Sequence, residues 1–265
     1  MIAISICNAK GGVAKTTTAL NLGSYLSAQG QRVLLIDLDP QANATKTFLE
    51  LGIGDAAKPP TLYDVLYQYL MERKKNIIRE AIRVIPTHPN LFLIAATLRM
   101  EQFKDMIKAN SKRPLEVLKD LVKPIEPDYD YLILDCPADL SIYVENAIEL
   151  ADYILCPSLY DFYGIDALSL IIPTITEIKG DDFANYRVLY TMFNPRATKI
   201  QEKLKDYADM LEGMEKVLPF KIPIDQNVKN SQAESVDFMN DKAYHNSKAR
   251  LAYIKLGEYV MEHWT

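Results

Sequence analysis

Asn8-Ala9-Lys10-Gly11-Gly12-Val13-Ala14-Lys15-Thr16-Thr17-Thr18 constrains this chain more than any other stretch. It follows an apolar run, Ile2 to Cys7, that reads as a strand, and it opens a helical run, Thr16 to Gln29. A strand, a Gly-rich turn and Lys-Thr at a helix start make an anion-binding turn. Gly11 and Gly12 let backbone N–H groups point inward, the helix N-terminus adds about half a positive charge, and Lys15 adds a full one. The Thr16 hydroxyl can then reach a phosphate-bound Mg²⁺.

The usual pattern for such a loop, G-x-x-x-x-G-K-[ST], fails here because Ala9 and Ala14 stand at its glycine positions. The stretch resembles instead the deviant Walker A box, K-G-G-x-G-K-T-T, of the ParA/MinD superfamily, with the signature lysine at Lys10. Ala14 is the departure from that box. A left-handed backbone at a non-glycine residue costs roughly 1–2 kcal/mol, which a bound nucleotide can offset.

Further along, Arg32 to Asp37 is a continuous apolar run that ends in a carboxylate, as a buried parallel strand does. Asp37 and Asp39, two apart at the end of that strand, face the edge where open α/β sheets bind ligands. The string Asp37-Leu38-Asp39-Pro40-Gln41-Ala42-Asn43 resembles the family's D-x-D-P-Q-[GA]-N box. Tyr131 to Asp135 is again an apolar run closing on a carboxylate and resembles the family's Walker B segment, with Ala138 where a second proline is usual. Cys136 alone cannot repeat the paired-cysteine cluster site of the nitrogenase iron protein in the same superfamily.

Strands at Leu91–Ile94, Tyr153–Cys156, Tyr186–Met192 and Val217–Ile222 alternate with helical patterns. These lie at Leu62–Leu70 with Thr61 as N-cap after a Pro59-Pro60 loop, and at Asn76–Ile82, Leu98–Ile107, Leu115–Val122, Ile142–Leu150, Gly164–Ile178, Ile200–Leu211 and Leu251–Met261. The alternation predicts an α/β fold: a doubly wound, mainly parallel sheet flanked by helices. No linker interrupts it, so residues 1–265 are expected to form one P-loop ATPase domain. Arg73-Lys74-Lys75 has two readings, a site for acidic partners or a solvated helix junction.

The resemblance implies a Mg²⁺-dependent ATPase with ATP and ADP as ligands. Nucleotide binding falls on Lys10, Gly11, Gly12, Val13, Ala14, Lys15, Thr16 and Thr17. Asn194 in Thr191-Met192-Phe193-Asn194 and Pro223 after Ile222 match the family's loops around the base. Thr16, Asp37 and Asp135 would serve the metal, and Asp39 would hold the attacking water. Lys15 and Lys10 would stabilise the phosphates, Lys10 from across an ATP-dependent homodimer.

The family also implies sequence-independent DNA binding, here matched to Arg196 and Lys229, and a ParB-like adaptor that stimulates hydrolysis during plasmid or chromosome partition. Two alternatives share this switch: a positioner of protein cargo such as a microcompartment or chemosensory cluster, and a MinD-like membrane-surface ATPase. The latter needs a basic amphipathic tail, whereas this chain ends Glu262-His263-Trp264-Thr265, so no membrane partner is expected. A nucleotide-binding regulator that scarcely hydrolyses is the reading that Ala14 keeps open.

Composition limits these readings. A formal net charge of −5 gives a single copy little positive field, so DNA binding should need two combined patches and should weaken with salt. Three cysteines without C-x-x-C, and no signal-peptide pattern before the first strand, predict a cytoplasmic protein without a metal framework, and the family's DNA binding implies association with the nucleoid.

Overall fold

The computed structural model describes residues 1–48, 60–213, 215–233 and 237–265. Seven strands form one sheet in the order β3-β4-β2-β5-β1-β6-β7. They are β1 (Ile2–Ile6), β2 (Val33–Asp37), β3 (Ile82–Ile85), β4 (His88–Ile94), β5 (Tyr131–Asp135), β6 (Tyr153–Leu159) and β7 (Tyr186–Thr191). All neighbours are parallel except β3, which pairs antiparallel with β4 at one edge. Strands β2 and β5 are buried along their whole length, as their unbroken apolar runs require. Their register sets Asp37 directly beside Asp135.

Alternate residues of the strands face two separate cores. Leu34, Ile36, Leu132 and Leu134 pack under α3 (Leu62–Leu70), α5 (Val117–Val122), α6 (Ile142–Leu150) and α7 (Phe162–Lys179). Ile4, Ile6, Leu35 and Ile133 pack under α1 (Lys15–Ala28) and α10 (Lys248–His263). The fold is thus doubly wound, as expected. A Cβ at Gly257 would fall 2.0 Å from the Tyr25 ring, so glycine there lets α10 lie against α1. Trp264 closes this layer by stacking on Tyr153 at 4.9 Å. Thr61 caps α3 by donating its N–H and hydroxyl to the Asp64 carboxylate at 2.9 and 2.7 Å. Among the described residues no helix is long and apolar enough to cross a membrane.

Several local expectations are corrected. The helix expected at Asn76–Ile82 is a 3-10 turn over Ile77–Ala81 followed by β3. Its β-branched Ile82, Val84 and Ile85 suit an edge strand, where Val84 points to solvent. Leu98–Ile107 divides into a 3-10 turn, Leu98–Phe103, and α4 (Lys104–Asn110). The strand expected at Val217–Ile222 is reduced to single bridges, Val188 with Val217 and Phe193 with Pro223. Pro219 lies between them, and a residue without an N–H cannot continue the ladder. Two short helices carried no sequence signal: α2 (Asn43–Phe48) and α9 (Gln226–Ala233). Helix α8 (Thr198–Gly213) covers the expected Ile200–Leu211. Pro59, half of the expected Pro-Pro loop, lies outside the described residues.

Candidate active site

The loop between β1 and α1 is tied down on both sides. Asn8 donates its side-chain amide to the Pro157 carbonyl at 2.7 Å, and the Thr191 hydroxyl donates to the Val13 carbonyl at 3.0 Å. Strands β6 and β7 therefore hold its two ends. Gly12 takes φ 74° and Ala14 takes φ 65°, ψ 32°, so Ala14 does adopt the left-handed backbone that favours glycine. Ala14 is also the N-cap residue of α1 and offers no side-chain acceptor to the first turn. The donors at that helix start are left to a ligand, and an anion there is favoured by the helix dipole. Gly11 is exposed, and a Cβ there would lie 3.7 Å from Ala138, so the residue that replaces the family's proline packs beside the loop.

Two lysines leave this loop in different directions. Lys15 is 7% exposed and donates its ammonium to the Lys10 carbonyl at 2.8 Å, inside the loop. Burial lowers its pKa, and the nearby Asp135 carboxylate works against that shift. Lys10 points outward: its ammonium lies 3.8 Å from Asp161, the N-cap of α7, and 4.7 Å from the centre of the Tyr163 ring. Tyr163 is 70% exposed, so this lysine rests at an open face of the molecule.

Three carboxylates meet the loop at the ends of β2 and β5. Asp37 is fully buried and spends both oxygens on its own chain. Its Oδ1 accepts from the Asp39 N–H at 3.1 Å, and its Oδ2 accepts from the Thr45 N–H and hydroxyl at 2.9 and 2.7 Å. Asp135 is fully buried, and neither oxygen has a hydrogen-bond partner among the described residues. Burial pushes both upward, Asp37 to about 6, and Asp37 adds to the rise at Asp135 while Thr16 and Lys15 oppose it. Asp39 is half-buried further out, and its Oδ1 accepts the Gln41 N–H at 2.8 Å.

The orphaned Asp135 carboxylate beside Asp37 and the Thr16 hydroxyl is an all-oxygen donor set that suits Mg²⁺, a hard cation that keeps several waters and takes phosphate ligands. No cluster of three or more His, Cys, Asp or Glu able to hold a metal is found among the described residues. The three cysteines are buried thiols, and His88 is packed against Asp237 at 2.5 Å.

A cavity of about 260 Å³ adjoins the loop, with Gly12, Ala14 and Thr17 on one wall and Thr191, Met192 and Pro223 on another. Its place beside the helix start and its size fit the base and sugar of a nucleotide. Pro223 lines it, and Lys229 stands exposed at the same cavity. Asn194 and Arg196 are exposed on the following loop, where the Asn194 side chain accepts the Arg196 N–H at 3.0 Å. Met192, Asp225 and Tyr253 also line the cavity without having been singled out in the sequence. Met192 has φ 47°, a strained backbone at a bulky residue that no local pattern announces.

A pH dependence follows from Asp37. Its pKa is raised on folding from 3.8 to about 6, so its contribution to stability is fully present below about pH 4 and is lost as pH rises through about 6. Burial also pushes Asp139, Asp225 and Asp237 upward, but hydrogen bonds from Ser141, Ser247 and His88 outweigh it, so their contributions change below about pH 4. Melting curves in EDTA should show the nucleotide-free protein losing stability from pH 5 to pH 8. The gain from added Mg²⁺ should be larger at pH 8; Asp37→Asn should reduce the loss up to about pH 6, and the part that remains at higher pH belongs to Asp135, which burial raises in the same direction. A nucleotide-free protein that becomes more stable across that range would contradict the assignment.

An AAA-domain family profile matches residues 1–188 of this chain. The chromosome partitioning protein ParA of Myxococcus xanthus is 30% identical over 98% of this chain and 87% of its own length. The sporulation initiation inhibitor protein Soj of Bacillus subtilis is 33% identical over 88% of this chain and 87% of its own. Among solved structures, cobyrinic acid a,c-diamide synthase of Mycobacterium smegmatis with bound ADP and magnesium aligns with a TM-score of 0.77 at 26% identity. That alignment covers 100% of this chain and 96% of that one.

Proposed function

We propose, because this chain belongs to the ParA/Soj family of partition ATPases, that ATP closes two copies into a dimer which grips DNA without sequence preference and releases it after hydrolysis. Its activity is ATP hydrolysis to ADP and phosphate, with ATP or ADP and Mg²⁺ as ligands. The observation that carries the dimer is the pair of lysines. Lys15 already occupies the interior of its own loop, so Lys10, turned to an open face, is the cation available to a second copy.

In this reading the loop N–H groups and Lys15 bind the phosphates, and Thr16, Asp37 and Asp135 hold Mg²⁺. When bound, the ion would neutralise charge on the phosphate oxygens. Asp39 orients the attacking water in line with the γ-phosphate. Lys10 of a second copy stabilises the charge that develops on the transferring phosphoryl group, as an arginine finger does. A ParB-like adaptor stimulates this step, and the cargo is a plasmid or chromosome.

DNA contact is assigned to Arg196 and Lys229. Their segments are far apart in sequence but are joined where the Phe193 N–H meets the Ile222 carbonyl at 2.9 Å and the Ile224 N–H meets the Phe193 carbonyl at 3.0 Å. Both side chains are exposed. Fluorescence anisotropy with a labelled duplex should show binding with ATP and Mg²⁺, little with ADP, and a steep fall with salt. Arg196→Ala with Lys229→Ala should remove most of it at saturating ATP, and Arg196→Ala alone, at a residue that does not line the nucleotide cavity, should weaken it while sparing ATP binding. Equal binding by the nucleotide-free protein would sink the assignment.

A further inference from the structure

A charged concavity lies away from the nucleotide. A cleft of about 410 Å³ opens where the end of α3 meets the end of α4, lined by Arg73, Lys74 and Lys75 on one side and Lys112 and Arg113 on the other. The sequence shows only the first three as a cluster; the fold brings the other two to face them. Arg73 ties the walls together by donating to the Asn110 carbonyl at 3.4 Å.

One carboxylate lines the cleft, Asp120, and it is already used: it accepts from the Tyr69 hydroxyl at 3.1 Å and pairs with Arg113 at 3.3 Å. Glu72 pairs with Lys74 at 2.8 Å, and Glu116 pairs with Arg113. Lys75 and Lys112 are exposed and have no hydrogen bond or ion pair recorded among the described residues. In a chain of net charge −5, three lysines and two arginines in one hollow raise the local potential well above its surroundings and concentrate anions there.

We infer that this cleft is a second anion site, which binds closely spaced phosphate groups independently of the nucleotide loop. Phosphate, with several oxygens and more charge, fits better than a single carboxylate because the Lys75 and Lys112 ammonium groups reach the cleft from two walls, while the engaged Arg73, Lys74 and Arg113 add positive field around them. The volume lies in the range of sites for compact ligands. The phosphates can come from a free polyphosphate or from a nucleic-acid backbone. The cleft sits on the α3–α5 layer, opposite the sheet face covered by α1 and α10, and shares no lining residue with the nucleotide cavity.

The test titrates inorganic tripolyphosphate by calorimetry into protein saturated with ADP and Mg²⁺, beside anisotropy with a labelled duplex. The double variant K75E/K112E changes two exposed side chains and should keep its fold and its ADP affinity. K203E/K255E, on α8 and α10, makes the same change in net charge away from the cleft. Tripolyphosphate binding that weakens more than tenfold relative to K203E/K255E, with duplex binding no weaker than in that control, identifies a free polyphosphate as the ligand. Duplex binding that weakens more than tenfold relative to K203E/K255E, with or without a change for tripolyphosphate, identifies a nucleic-acid backbone. If neither ligand loses more than tenfold relative to K203E/K255E, the inference is overturned.

Discussion

Asp39→Ala should slow ATP turnover by about 10²–10⁴-fold while leaving nucleotide binding intact, the loss expected when a positioned general base is removed. The geometry separates the three carboxylates. Asp37 is enclosed and engaged by Thr45 and the Asp39 N–H, and Asp135 is enclosed and turned to the loop. Asp39 alone is half-buried at the outer rim, where water has access. Removing it also removes the acceptor for the Gln41 N–H, which would loosen the turn leading into α2. Asp39→Asn keeps that acceptor and removes the charge, so the two variants together distinguish chemistry from folding. If both are slow and both still bind ATP, Asp39 acts on the water; the long-lived ATP form should then also be retained on DNA. Wild-type turnover in either variant would shift the role to Asp37.

The second large effect is a contrast between neighbours. Lys15→Ala should lose most nucleotide affinity, because it removes the buried cation of the loop, and each hydrogen bond to a charged group is worth about 1.5–3 kcal/mol. Lys10→Ala should bind ATP nearly as well as the wild type but remain a monomer, because in a single copy Lys10 contacts Asp161 and Tyr163 rather than the loop interior. Calorimetry with ATP and Mg²⁺ for binding, and light scattering for mass, would separate the two. A Lys10→Ala protein that loses nucleotide as fully as Lys15→Ala would place both lysines in the same copy's site.

How much of this was legible depended on whether the signal was local. Strands β1, β2 and β5 and the loop before α1 could be read directly, since a continuous apolar run ending in a carboxylate or a glycine pair has few other meanings. Asp37 and Asp135 could each be named, but that β-register sets them side by side, with one satisfied and the other not, comes from tertiary structure alone. Strand β3 was misread because its 3-10 approach carries helix-like spacing, and the last expected strand failed at Pro219, a breaker inside an otherwise apolar run. Lys221 shows the limit of local reading. Its ammonium lies 4.8 Å from the Tyr160 ring and 4.7 Å from the Phe193 ring, and those rings arrive from separate segments. The resting contact of Lys10 with Tyr163 and the far wall of the basic cleft were hidden for the same reason.

The account turns on ATP closing two copies through the face that carries Lys10. Multi-angle light scattering of the wild-type protein with ATP and Mg²⁺, under conditions of slow turnover or in the Asp39→Ala background, measures this directly. The mass should double from that of one 30.1 kDa chain with ATP and stay at one chain with ADP. A monomer with both nucleotides, or a dimer of equal stability with both, would contradict it.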